Sequence, residues 1–204
     1  MWVAHSHFVL FPFVDLDVPC SNMANVPSPA NAYLAHLPQT RLPSLDFIYR
    51  LECSMSSDVQ VVGRPSASSS SRIILPIAGG AVSGPRLSAT ILSVSGADWA
   101  TSLPGESFMK LDARYTLQTD DGRFIYVKSK GIYHPESASQ EPPTNVNQDQ
   151  ADWFTRLQFE ANEGPYEWMN YVFGIGVLTM HQGKIVVDAY RLTNFPGREI
   201  RLPA

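Results

Sequence analysis

The sequence predicts an all-β domain made of antiparallel hairpins that close into a barrel or a strongly bent sheet. Three observations carry this. Apolar residues recur with a period of two, clusters of turn residues separate the runs, and no amphipathic stretch of helical length competes. The chain has 16 prolines and 13 glycines in 204 residues, with 44% hydrophobic and only 17% charged. That balance belongs to a turn-rich globular protein and not to a disordered one.

Residues 1–42 differ in character from the rest of the chain. The apolar run Phe8 to Val14 has no Lys or Arg before it and is broken by Pro12, which disfavours a secretory leader. Pro19 to Pro29 then has a loop composition without a period. The segment reads as an N-terminal extension: a covering arm, a processed leader, or sequence upstream of a natural start at Met23. The barrel domain is expected over 43–193, with a C-terminal tail over 194–204.

Within the domain, Phe47 to Cys53, Ile73 to Ala78 and Leu87 to Val94 read as strands. A flexible Ser-rich loop, Gly63 to Ser71, separates the first two. Gly79, Gly80 and Gly84 fit neither the Walker pattern nor a dinucleotide fingerprint, and Pro85 comes directly after them. They are expected to form a turn or bulge, using the freedom of glycine at positive φ. Gly96-Ala97-Asp98-Trp99 reads as a turn, with Asp98 capping it and Trp99 plugging one barrel end.

Met109 to Leu117 is the clearest strand. Met109, Leu111, Ala113, Tyr115 and Leu117 alternate with Lys110, Asp112, Arg114 and Thr116. It runs into Thr119-Asp120-Asp121-Gly122, whose Asp-Gly step suits a tight hairpin, and Arg123 to Lys130 returns as the partner strand. A long connection, Pro135 to Asp149, comes next and reads as a lid, a binding loop or a merely mobile segment. Phe154 to Ala161, Tyr171 to Thr179 and Ile185 to Arg191 bring the total to about eight strands. Tyr166 to Tyr171 suits one helical turn, and His181-Gln182-Gly183-Lys184 another hairpin turn. Closure would remove the exposed edges of such a sheet.

Charge and special residues narrow the function. The net charge is -4, and the densest basic run is Lys128-Ser129-Lys130, so nucleic acid and anionic membranes are not expected partners. No apolar run approaches the length of a spanning helix. Cys20 and Cys53 lack metal-ligand or disulfide-framework spacing, which fits a reducing, cytoplasmic setting. His5, His7, His36 and His181 have no ligand spacing either, so no metal is expected, and no cofactor fingerprint appears. A nucleophile elbow of the Gly-x-Ser-x-Gly type is missing from the sequence, which disfavours covalent hydrolysis.

Several longer strings are distinctive: Ile77 to Leu87, Gly96-Ala97-Asp98-Trp99, and Ala113 to Val127. Phe159-Glu160, Tyr166-Glu167-Trp168-Met169-Asn170 and Phe173-Gly174-Ile175-Gly176 come after them in order. Together they closely resemble the family known as domain of unknown function 3237, over about 150 residues. The resemblance implies a small antiparallel β-barrel, lipocalin-like or allene-oxide-cyclase-like, with a pocket. It implies no mechanism, because a fold does not specify one.

The candidate chemistry turns on which way the strands face. If Asp112 and Arg114 point into the lumen, the faces bearing Tyr126 and Lys128, or Arg156 and Glu160, share it with them. Arg114 would then hold a carboxylate or enolate, while a desolvated Glu160 or Asp98 would serve as general base. The resemblance favours Asp98 further. His134, at a strand end before the long loop, is a further acid–base candidate. In the alternative these charges are the solvated outside, and Met109, Leu111, Tyr115 and Leu117 make the core. Tyr126, Trp168, Asn170 and Trp99 are the candidates for touching a ligand. The expected activity is a cofactor-independent isomerase or cyclase rearranging a small apolar metabolite, polyketide-like or terpenoid-like. Two rivals stay open: a lipocalin-style carrier, and an interaction module forming a homo-oligomer.

Overall fold

A computed structural model describes residues 37–38, 40–64, 66, 69–103, 108–137 and 143–200. The extension up to residue 36, with Cys20, His5, His7 and His36, lies outside the described residues. So do parts of the Ser-rich loop and residues 138–142 of the long connection.

The described elements are β1 Ser44–Met55, β2 Gln60–Gly63, β3 Ser71–Gly84, β4 Leu87–Ile91 and β5 Ala97–Ser102. After them come β6 Met109–Thr119, β7 Phe124–Pro135, β8 Ala151–Ala161, a 3-10 helix Glu167–Tyr171, β9 Gly174–His181 and β10 Lys184–Thr193. Pairing is antiparallel throughout and runs β1-β10-β9-β8-β7-β6. Strand β6 then pairs with both β4 and β5, both of these pair with β3, and β3 returns to β1. β4 and β5 share one place end to end: β4 lies along Gly80 to Gly84 of β3 and β5 along Ser71 to Pro76. The circuit therefore closes as an eight-stranded antiparallel barrel, and the expected fold class holds. Strand β2 is appended to the Arg72 to Ile74 end of β3.

Local chemistry explains the turns. Gly122 has φ 81° after β6, and the Thr119 hydroxyl accepts the Arg123 N–H at 2.9 Å, which fixes the expected hairpin. Gln182 and Gly183, at φ 51° and 75°, close the β9–β10 hairpin. The expected bulge also appears, inside the fourteen-residue β3: Ser54 pairs with Gly79, whereas Met55 pairs with Ile77. A Cβ on neighbouring Gly80 would sit 2.1 Å from the Glu52 carbonyl oxygen, so glycine permits the close approach of β1 and β3.

One sequence expectation is corrected. Asp98 and Trp99 are strand residues of β5, not a turn. The turn falls at Leu92 to Ser95, where Val94 has φ 61° and the Ser95 hydroxyl donates to the Leu92 carbonyl at 2.7 Å. β5 is extended because β3 and β6 flank it on both edges.

The two ends of the barrel differ. At the end holding Ser44, Thr119 and Thr193, the lumen is filled by Tyr49, Leu117 and Ile125, and the 3-10 helix adds Met169, each 0% exposed. Trp168 on the same helix is also buried. The other end holds Met55, Met109 and Ala151 and is hollow. No helix among the described residues is long and apolar enough to cross a membrane.

Candidate active site

The hollow half is a cavity of about 260 Å³. Strand parity builds its walls: Met109, Leu111, Ala113 and Tyr115 of β6 all face it, as do Trp153 and Thr155 of β8. Pro143 and Val146 bring the long connection over its rim. Val146 is pinned there by paired backbone hydrogen bonds with Met180, at 2.9 and 2.8 Å.

Asp98 is the only carboxylate among the described lining residues, which include no Lys, Arg or His. It sits opposite Leu75 and Ala113 in the barrel wall. The β5–β6 register resumes only at Thr101 and Lys110, and in the gap the Asp98 Oδ1 accepts the Asp112 N–H at 2.8 Å. Burial pushes the Asp98 carboxyl up from 3.8 to about 6. The Asp112 N–H opposes the shift, the Asp112 charge reinforces it, and the Arg72 charge opposes it again.

The other titratable groups around Asp98 stay neutral. Burial, reinforced by the negative charge of Asp98, pushes the Cys53 thiol to about 12. Burial and the adjoining Tyr49 hold the Tyr115 hydroxyl well above its ordinary value. Asp98 is therefore the lining group whose charge changes nearest neutrality. Across the lumen, Thr155 Oγ1 and Trp153 Nε1 are buried in the wall with no hydrogen-bond partner. Tyr133 packs edge-on against Trp153, with ring centroids 4.9 Å apart. The described residues contain no group of three His, Cys, Asp or Glu side chains placed to hold a metal.

Of the four residues expected to act as acids, bases or charge stabilisers, only Asp98 lines the cavity. Because the odd residues of β6 take the inside, Arg114 lies outside, bonded to Asp112 at 3.2 Å and placed over the Trp99 ring. Glu160 is also outside, in an ion pair with Lys128 at 2.6 Å. A shared lumen of Asp98, Arg114 and Glu160 is thus corrected to an inner Asp98 and an outer charge ladder. His134 is exposed and packs edge-on against Phe108.

The four expected ligand contacts are also elsewhere. Trp99 faces outward under Arg114, so it does not plug the barrel. Tyr126 is outside beneath Lys128. Trp168 belongs to the filled end, with Arg86 4.3 Å from its ring centroid. Asn170 spends its amide on β8, accepting the Ala161 N–H at 2.7 Å and donating to the Ala161 carbonyl at 2.8 Å. Sequence reasoning missed Thr155. Thr155 was detectable as the one polar residue on the apolar parity of β8, among Trp153, Leu157 and Phe159.

A closed eight-stranded antiparallel barrel, filled at one end and hollow at the other around a half-buried carboxyl, defines a β-barrel protein with an internal cup. Residues 43–192 match the family described as protein of unknown function (DUF3237), and the chain belongs to that family. Relatives include a UPF0311 protein of Rhodopseudomonas palustris strain TIE-1, 32% identical over 124 residues, which span 59% of this chain and 80% of the relative. Among solved structures, a beta-barrel like protein from Acinetobacter baumannii AYE is 27% identical with TM-score 0.64, covering 76% of this chain and 99% of that one. An enzyme from Penicillium herquei shares the fold at 16% identity and TM-score 0.56, covering 76% of this chain and 98% of that one.

Proposed function

We propose that the protein is a cofactor-independent isomerase or cyclase that rearranges a small apolar metabolite, polyketide-like or terpenoid-like, by acid–base chemistry in the hollow half of the barrel. The observation that carries this reading is a carboxyl raised to about 6 inside a largely apolar cavity. A group titrating near neutrality serves as base in one protonation state and acid in the other. The Asp98 carboxylate takes a proton from an acidic C–H or O–H of the ligand. The carboxylic acid then returns it at another atom, so the rearrangement balances without an oxidant or reductant. The neutral Tyr115 hydroxyl supplies a donor for negative charge developing on oxygen. The apolar walls hold the ligand folded for reaction and keep water away. The fold shared with the Penicillium herquei enzyme is compatible with catalysis and does not carry the reading.

The apolar lining favours a second reading, a carrier that uses the same cup without proton transfer. One experiment separates the two. Metabolites are compared in cells with and without the protein, and the compound that accumulates in its absence is then incubated with wild type and with Asp98→Asn. The enzyme reading expects turnover by wild type and a loss of about 100-fold or more in a folded Asp98→Asn. Full activity in that variant contradicts it. Binding with unchanged return of the compound supports the carrier.

A further inference from the structure

We infer that the cavity selects an uncharged molecule with one oxygen acceptor remote from the atom Asp98 works on, and that Thr155, with Trp153 beside it, receives that oxygen. The inference rests on reading the hollow half as the ligand site. In the circuit β6 and β7 separate β5 from β8, so Asp98 and Thr155 stand three places apart out of eight, on facing walls. Trp153 and Thr155 are two residues apart on one strand and share its inward face.

Both carry polar atoms, Nε1 and Oγ1, that are buried and unpartnered. Buried groups of this kind are nearly always satisfied, and these two sit on one strand of the cavity wall, where a ligand oxygen would complete the bonding. Neighbouring β9 makes room for the hydroxyl: a Cβ on Gly176 would lie 2.6 Å from Thr155 Oγ1. Rotation between staggered χ1 positions then lets Oγ1 turn to the ligand. An indole N–H only donates, so the group it meets must accept.

Charge and size complete the assignment. The described lining offers no cation, and above pH 6 Asp98 adds a negative charge, so a carboxylate or phosphate would be desolvated without a partner. A volume of about 260 Å³ exceeds the roughly 150 Å³ of an apolar cavity that holds benzene. It falls short of the roughly 300 Å³ at which drug-sized pockets begin. The ligand class is a compact neutral ketone, ester, lactone or ether of about two fused rings.

Calorimetric titration of the full chain at pH 8 with 1-tetralone, tetralin and tetralin-1-carboxylate tests this. Wild type is expected to bind the ketone roughly 3- to 10-fold more tightly than the hydrocarbon. The carboxylate should bind at least about 10-fold more weakly than the ketone. Thr155→Val, nearly isosteric, should reduce the ketone preference to what the Trp153 donor alone supplies while keeping tetralin affinity, and Thr155→Ser should restore it. Asp98→Asn should keep the ketone preference and relax the exclusion of the carboxylate. Three results overturn the inference: a ketone preference undiminished by Thr155→Val, carboxylate binding as tight as ketone binding, or no binding of the ketone to wild type. Failure of the acid–base mechanism is read separately, as full turnover by Asp98→Asn with the ketone preference intact.

Discussion

At the filled end of the barrel, Tyr49, Leu117 and Ile125 belong to one core cluster and are fully buried. At the hollow end the same strands leave about 260 Å³ between them. Strand β6 contributes to both: its inward Tyr115 and Leu117 are buried, while Met109, Leu111 and Ala113 of the same parity remain partly exposed. Barrel geometry is common to the two ends, so the size of the inward side chains and the 3-10 helix plug make the difference. The fully buried side chains concentrate in one half, and the other half leaves the space in which the proposed ligand would sit.

Breaking the filled end should cost most. Leu117→Ala is expected to destabilise by about 2–5 kcal/mol, read from urea denaturation midpoints. Leu111→Ala, beside an existing cavity, should cost less than half as much. Equal losses would mean that the two halves are packed alike.

Asp98→Asn should move stability the other way. The folded-state carboxyl titrates above its unfolded value, so charging it inside the barrel costs stability as pH rises through about 4 to 6. Below that window the group is neutral in both states and the penalty vanishes. The shift from 3.8 to about 6 sets an upper limit of roughly 3 kcal/mol on the gain at pH 8. Denaturation of both proteins at pH 8 and pH 3.5 checks it, and a gain equal at both values would show that the buried charge is not its source.

A smaller effect is expected at Gly176. Its Ala variant places a methyl 2.6 Å from Thr155 Oγ1 and 3.2 Å from Val187 Cγ1. The cost should be about 1–2 kcal/mol, with weaker ketone binding in the same titration. The smallest effects belong to the outer face. Arg114→Ala and Glu160→Gln break exposed ion pairs and should change neither the denaturation midpoint nor turnover measurably.

The elements legible in the sequence were those whose signal is local. The alternation of Met109 to Leu117, the Asp-Gly turn at Gly122 and the turn at Gln182-Gly183 each lie within a few residues of chain. Strand β5 was not legible, because Ala97 to Ser102 shows no regular alternation of apolar and polar residues and is extended only through β3 and β6 on its flanks. Which face of β6 points inward depends on closure of the whole circuit, so the sequence left it open. Charge drew attention to Arg114 and Glu160, yet their strand parity put them in water. Asp98 was legible through the family resemblance. Its neighbours Cys53 and Tyr115, and Thr155 across the lumen, come from β1, β6 and β8 and meet only in the closed barrel.

Carbon-13 NMR titration of the Asp98 carboxyl, assigned by comparison with Asp98→Asn and repeated with 1-tetralone bound, reads the hollow half most directly. The midpoint is expected near 6 in the free protein and higher once the ligand removes water from the cavity. A midpoint near the ordinary 3.8, unmoved by the ligand, would put the carboxyl in water and contradict a proton-transfer site in the hollow half of the barrel.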